Sequence, residues 1–288
     1  MPEPDPITAP YGAFALSSFE ESLRRFAMAL PSYRLRRFAE STIRRVLMSN
    51  GRNVADVEVF PGQHARLHMR DNRCEKRVFV GSKTWDREER ASMRRQFRDS
   101  DQNRPFIFVD AGANAGFYTL SMLADAETNG RDLKAIAIEP DPENRRRLEF
   151  NLNASSDKRV TVVPNALGSE EGEAVLVQPE INRGEVRVSE TGEGVRVRLT
   201  TLQTVLEEAG VERVDIMKMD IEGFEEPVLN TFFGDAPRNL WPRTILLETR
   251  HEAGITEGAA GLCLKHGYEV VQQMRQNAVL TLPSGKSS

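Results

Sequence analysis

From residue 105 onward the chain alternates short apolar runs with helical segments, and this rhythm narrows the possible folds more than any other feature. Residues 106–110 are followed by a helical stretch at 116–124, and residues 133–139 by one at 142–152. A run at 160–164 comes next, then 214–220 with a helix at 225–232, then 244–248 with a helix at 257–266. Apolar runs of this length are strands buried on both faces. Strand, helix, strand in repetition predicts a mostly parallel α/β sheet with helices on both faces. The last two β runs, 268–273 and 278–282, have no helix between them and predict an antiparallel edge hairpin. Residues 170–198 are rich in Glu and Gly and break the rhythm, with β runs at 174–177 and 195–199. They predict an inserted hairpin or flap.

The chain before residue 105 has a different texture. Residues 1–12 hold four prolines and read as a loose leader. Ser17 and Glu20 have the spacing of a capping box, so a helix starts there. Phe19, Leu23, Phe26 and Leu30 then recur on one helical face until Pro31 interrupts it. Leu35, Phe38, Thr42, Val46 and Leu47 make a second amphipathic helix that ends near Asn50-Gly51. The opposite faces carry Arg24-Arg25, Arg36-Arg37 and Arg44-Arg45, expected to be solvated and able to touch phosphate or RNA. Residues 57–60, 65–69 and 77–80 read as short strands, and 84–97 as a polar helix. The organisation expected is an N-terminal helical and short-strand extension over 1–104, a candidate substrate cap, and a ligand-binding domain over 105–288.

Charge sharpens that division. The 288 residues carry 39 Lys+Arg and 43 Asp+Glu, a net charge of −4. Residues 1–104 have a net charge of +6 and residues 105–288 one of −10. No apolar run approaches the roughly 18 residues that cross a bilayer, and no secretory signal is visible. Cys74 and Cys263 stand far apart, which suggests a reducing, cytoplasmic setting rather than disulfides. A mildly negative total argues against a dedicated nucleic-acid binder, though it does not exclude one. The oligomeric state cannot be read.

The chemistry concentrates in three places. Residues 108–119, FVDAGANAGFYT, are a buried strand, a glycine-rich turn and a helix. The turn lies beyond the carboxyl end of its strand, where open α/β sheets bind ligands. Gly112 and Gly116 are expected to let a ligand approach the backbone. Asn114 stands where a dinucleotide fingerprint would have its second glycine, and Asp110 suits a cationic ligand better than a phosphate. Glu139 ends the next strand, where an acidic side chain can accept hydrogen bonds from both ribose hydroxyls. Asp110 with Glu139 therefore fits a nucleoside with a positive centre, such as S-adenosylmethionine. The third place is Lys218-Met219-Asp220-Ile221-Glu222-Gly223. A lysine inside an apolar strand needs partners, and Asp220 and Glu222 are the natural ones.

The run from Asp110 to Thr119 resembles the first motif of FkbM-family, S-adenosylmethionine-dependent methyltransferases. Glu139-Pro140-Asp141-Pro142-Glu143-Asn144, with Leu148 and Asn151, is similar to their second. Asn165-Ala166-Leu167-Gly168, Leu199-Thr200-Thr201-Leu202 and 218–225 are similar to the remaining three, in order. The resemblance covers roughly 105–250. It implies a class I methyltransferase fold, Rossmann-like, with a seven-stranded sheet. It further implies that Asp110, Gly112, Asn114 and Gly116 surround the methionine part of the cofactor, with Glu139 on the ribose and Asn165 and Ala166 near the adenine.

The expected activity is O-methylation of a small-molecule hydroxyl of a sugar, lipid or natural product. Asp220 or His251 would take the proton, with Lys218 and Glu222 beside them. Two alternatives stand: an RNA or protein methyltransferase docking through the arginine-rich helices, or a non-catalytic cofactor-binding scaffold. No complete set of metal ligands is visible. His64 and His68 have HxxxH spacing without the adjacent glutamate of a zinc helix, and Gly285-Lys286-Ser287 has no helix after it to make a P-loop.

Overall fold

The computed structural model describes residues 5–6, 8–49, 51–177, 187–189, 194–249 and 254–283. In chain order the first layer is α1 (Ser18–Ala29), α2 (Tyr33–Ser49), β1 (Val54–Phe60), β2 (Gln63–His68), α3 (Arg73–Gly81) and α4 (Arg87–Asp99). There follow β3 (Phe106–Ala111), α5 (Phe117–Thr128), β4 (Leu133–Ile138), α6 (Pro142–Ala154) and β5 (Val160–Val163). Then come β6 (Ala166–Leu167), β7 (Gly172–Val177), β8 (Arg187–Ser189), β9 (Val195–Thr200), α7 (Leu202–Glu208), β10 (Ile216–Met219) and α8 (Glu225–Asp235). The chain closes with β11 (Thr244–Glu248), α9 (Gly258–Lys265), β12 (Glu269–Gln273) and β13 (Asn277–Thr281).

The alternation of strands and helices builds the expected sheet. Seven strands lie in the order β12-β13-β11-β10-β3-β4-β5. β13 is antiparallel to both neighbours and the remaining pairs are parallel. The terminal hairpin is the expected antiparallel edge hairpin, with β12 outermost and β13 between it and β11. β3 shows why both faces are covered. Phe106 and Phe108 enter one core with α5, α6 and the N-terminal layer. Ile107, Val109 and Ala111 enter the other with α7, α8 and α9. Successive side chains of a strand point to opposite faces, so a continuous apolar run feeds two cores.

The segment around 170–198 does more than form a hairpin. β7, β8 and β9 join β6 in a second, four-stranded sheet of order β6-β9-β7-β8. Residues 178–186 and 190–193 of that segment lie outside the described residues.

Three expectations for the N-terminal layer are corrected. Residues 77–80 are not a strand but the second half of α3. Asn72 caps that helix, its Oδ1 accepting from the amides of Cys74 and Glu75. Arg24 is not solvated: it is buried, paired with Glu21, and donates to the carbonyls of Phe79 and Glu58. Conversely, much of the apolar faces of α1 and α2 turns outward, with Phe19 and Phe38 each 73% exposed and Phe26, Leu35 and Val46 also exposed, while Leu47 is buried.

Candidate active site

A cavity of about 690 Å³ opens at the carboxyl ends of β3, β4 and β10. Its wall includes Gly112, Asn114, Glu139, Ala166, Lys218, Asp220 and Glu222 from the residues expected by sequence. Asp110, Gly116 and Asn165 lie outside that wall. His251 lies outside the described residues.

The turn after β3 is shaped by close protein contacts. Gly112 has φ +76°, and a Cβ there would sit 1.9 Å from the backbone oxygen of Asp220. Gly116 has φ +88°, and its Cβ would sit 2.4 Å from Leu148 Cδ1. Both glycines therefore let the turn pack on its neighbours, and Gly112 also lies on the cavity wall. Asn114 also has a positive φ, +53°. Its Oδ1 accepts from its neighbour Ala115 N and from Asn72 Nδ2 at 2.7 Å, so the cap of α3 also braces this turn.

Asp110 supports the site from below. It is fully buried, and Oδ2 accepts from Thr119 N at 3.1 Å and Thr119 Oγ1 at 2.7 Å. Burial raises its pKa, against the pull of Lys218. Lys218 Nζ stands 3.8 Å from Asp110 Oδ1 and 3.6 Å from Asp220 Oδ2, and donates to Gly112 O at 2.6 Å. Burial opposes its charge, but Asp220, Asp110, Glu248 and Glu139 outweigh that and raise its pKa. It is a cation at neutral pH, fastened beneath the turn. Its ion pairs run to Asp220 and Asp110; the expected second partner was Glu222, which has φ +56° at the turn into α8.

Glu139 ends β4 on the cavity wall. Oε2 accepts from Asn114 N at 2.7 Å and Oε1 from Asp141 N at 2.9 Å. Each carboxylate oxygen keeps a further lone pair for a ligand. Burial pushes its pKa up to about 7, in spite of the two amides. Asp220 is about one third exposed, and its Oδ1 has no hydrogen-bond partner.

Sequence reasoning passed over several wall residues. Tyr118 lies on the wall, its ring 5.6 Å from Lys218 Nζ, and its hydroxyl donates to Asp86 Oδ2 at 3.0 Å. Tyr118 stood inside the first motif and could have been singled out there; Asp86 and Trp85 lie on a separate layer with no motif to mark them. Glu225 accepts from the amides of Ile221 and Gly223. Together with Asp220 and Glu248 it can offer oxygens within 4.8 Å of one another, so among the described residues these three could share a cation.

A seven-stranded sheet in this order, with its next-to-edge strand reversed and its cavity at the strand ends, defines a class I S-adenosylmethionine-dependent methyltransferase. The methyltransferase FkbM domain family matches residues 110–270, more than half of the chain, and the chain belongs to that family. Among curated proteins it is similar to the AMB antimetabolite synthetase AmbE of Pseudomonas aeruginosa, 27% identical over 217 residues covering 60% of this chain. The chain spans only 10% of that protein's length. It is also similar to the methyltransferase sdnD of Sordaria araneosa, 27% identical over 205 residues, covering 59% of this chain and 76% of that one. Among solved structures, a precorrin-6y C5,15-methyltransferase of Geobacter metallireducens is 14% identical, with 69% and 88% of the two chains covered and a TM-score of 0.40. TYW2 of M. jannaschii, solved with AdoMet, is 13% identical, with 80% and 87% covered and a TM-score of 0.39. The fold assignment rests on the strand order above.

Proposed function

We propose that the chain methylates a hydroxyl of a small molecule, of the sugar, lipid or natural-product kind, with Asp220 as proton acceptor. The observation that carries this reading is the Asp220 carboxylate, which lines the cavity about one third exposed and whose buried Oδ1 has no hydrogen-bond partner. Lys218 Nζ lies 3.6 Å from the other oxygen and aims the group. The name of the antimetabolite synthetase relative supports a small-molecule acceptor.

The cavity suits the cofactor. Its wall carries seven acidic and six basic residues, and four of the acids, Glu139, Asp220, Glu222 and Glu248, gather at or just beyond strand ends, where they favour a cation. Glu139 would hold the ribose hydroxyls through its remaining lone pairs. Gly112 and Asn114, on the turn that Lys218 fastens, would border the methionine part. Ala166 would lie near the adenine. Asp110 would act by holding Lys218 and Thr119 in place. When bound, the cofactor supplies a methyl group on a positively charged sulfur. The protein's share is orientation, worth ~7–11 kcal/mol in favourable cases, and acceptance of the hydroxyl proton at the Asp220 carboxylate.

Asp220→Asn tests the assignment. It should leave S-adenosylmethionine affinity within a few-fold by calorimetry and lower turnover by ~10²–10⁴-fold. The acceptor for that assay comes from a screen of small-molecule extracts with methyl-labelled cofactor. Full turnover in Asp220→Asn would move the proton acceptor elsewhere, with His251 next to be replaced. Label found on nitrogen or carbon would overturn the hydroxyl reading.

A further inference from the structure

We infer that the outward face of α1 and α2 docks on an anionic lipid surface. Phe19 and Phe26 on α1, and Leu35, Phe38 and Val46 on α2, are exposed. The two helices pack on each other and on α3, so these side chains point away from the core. A monomer rarely leaves several large apolar side chains together in water without a partner for them.

The charges interleaved with them identify the partner. α2 holds five arginines and one acid, Glu40. Glu40 is buried and accepts from Thr84 Oγ1. Arg34, Arg37 and Arg45 are exposed beside Leu35, Phe38 and Val46. On α1, Arg25 is exposed, and both acids are already engaged, Glu20 with Arg52 and Glu21 with Arg24 and Arg25. The face thus presents aromatic and aliphatic groups amid an excess of positive charge, carried by Arg34, Arg37 and Arg45. Anionic headgroups over acyl chains match both properties at once. A second copy of the chain matches them poorly, because a two-fold contact would set these arginines against themselves.

The location gives such docking a use. Tyr33 and Arg37, at the start of α2, also line the site cavity. Arg87 and Arg37 flank the Tyr33 ring, at 5.4 and 6.0 Å from its centroid. A surface that seats α2 therefore lies against the mouth of the cavity. No helix among the described residues is long and apolar enough to cross a membrane, and the docking proposed needs none. It also does not depend on the identity of the methyl acceptor.

The test is cosedimentation of the full chain with vesicles of phosphatidylcholine alone and of equal parts phosphatidylcholine and phosphatidylglycerol. The expected result is binding to the anionic vesicles only, released by ~0.5 M salt. Replacing Phe19, Phe26 and Phe38 together with serine should weaken it ~10-fold or more. Arg34→Glu with Arg45→Glu should weaken it by a similar or larger factor. None of these five residues lines the cavity, so unchanged S-adenosylmethionine affinity in both variants shows that they remain folded. Absence of binding at low salt, or binding unaffected by either variant, would overturn the proposal. So would a dimer in sedimentation velocity that the serine variant dissociates, since a second copy would then cover the face. Vesicle binding needs no turnover, so it can fail while methyl transfer stands, and the reverse.

Discussion

The helices packed on the sheet and the two N-terminal helices treat their apolar residues in opposite ways. α5 buries Phe117, Leu120 and Leu123 against the sheet, and α8 buries Val228, Leu229 and Phe232. α1 and α2 leave three phenylalanines in solvent and put Arg24 and Glu40 inside. Periodicity marks a helical face as apolar; it does not say which neighbour covers it. Around the sheet the covering neighbour is the chain itself. On α1 a core position goes to an arginine whose carbonyl partners lie 34 and 55 residues away.

The contrast extends to the turns, where the largest effect is expected. Gly112→Ala forces a Cβ into the Asp220 carbonyl at a positive φ and should cost ~4 kcal/mol or more, or prevent folding. Gly51→Ala also has a positive φ, +82°, but nothing within 4 Å. It should cost only ~1–2 kcal/mol. Thermal denaturation of the two variants measures the gap, and equal losses would erase the distinction between a turn held by packing and one set by conformation alone.

Glu139 sharpens the comparison through pH. Its pKa of about 7 means that a proton must leave before the carboxylate can accept the ribose hydroxyls. S-adenosylmethionine affinity should therefore rise as pH increases from 5.5 toward 7, by at most ~10-fold per unit, and level off above that. The sign for stability is the reverse. A raised carboxyl pKa favours the folded state below the unfolded value, and that contribution is lost as pH climbs through about 7. Glu139→Gln should weaken cofactor binding ~10-fold and flatten its pH profile. A wild-type affinity that does not vary with pH would remove Glu139 from the ribose.

The smallest effect probes the joint between the two regions. Asn72→Ala removes the cap of α3 and should lower stability by ~1 kcal/mol. Asn72→Asp keeps the cap acceptor but loses the donor to Asn114 Oδ1, so it should retain most of the stability and raise the cofactor Kd several-fold. Calorimetry on the two variants separates capping from bracing; an unchanged Kd in Asn72→Asp would show that the turn holds itself.

Much of the sheet was legible because β3, β4, β10 and β11 are buried on both faces and so read as unbroken apolar runs. α3 was misread because Val78, Phe79 and Val80 have the composition of a strand. The corrective signal was present: Asn72 followed three residues later by Glu75 is the start of a capped helix. The carboxylates and the lysine of the site could be found because charges next to apolar strands stand out. The reason for Gly112 could not be found, because it lies 108 residues away in the carbonyl of Asp220. Nor could the outward turn of Phe38, which depends on how α2 meets α3.

Residues on both sides of position 104 share one core. Phe97 of α4 stacks edge-on against Phe106 of β3 with centroids 4.8 Å apart, and Phe79, Met93, Leu120 and Val279 belong to the same cluster. During synthesis the N-terminal layer leaves the ribosome before the surface it must cover exists. Its phenylalanines have to wait for the first βα unit of the sheet to emerge. Truncation at residue 104 would then not release an appendage but strip one face of the sheet, and the early third of the chain would depend on the rest for its own folding.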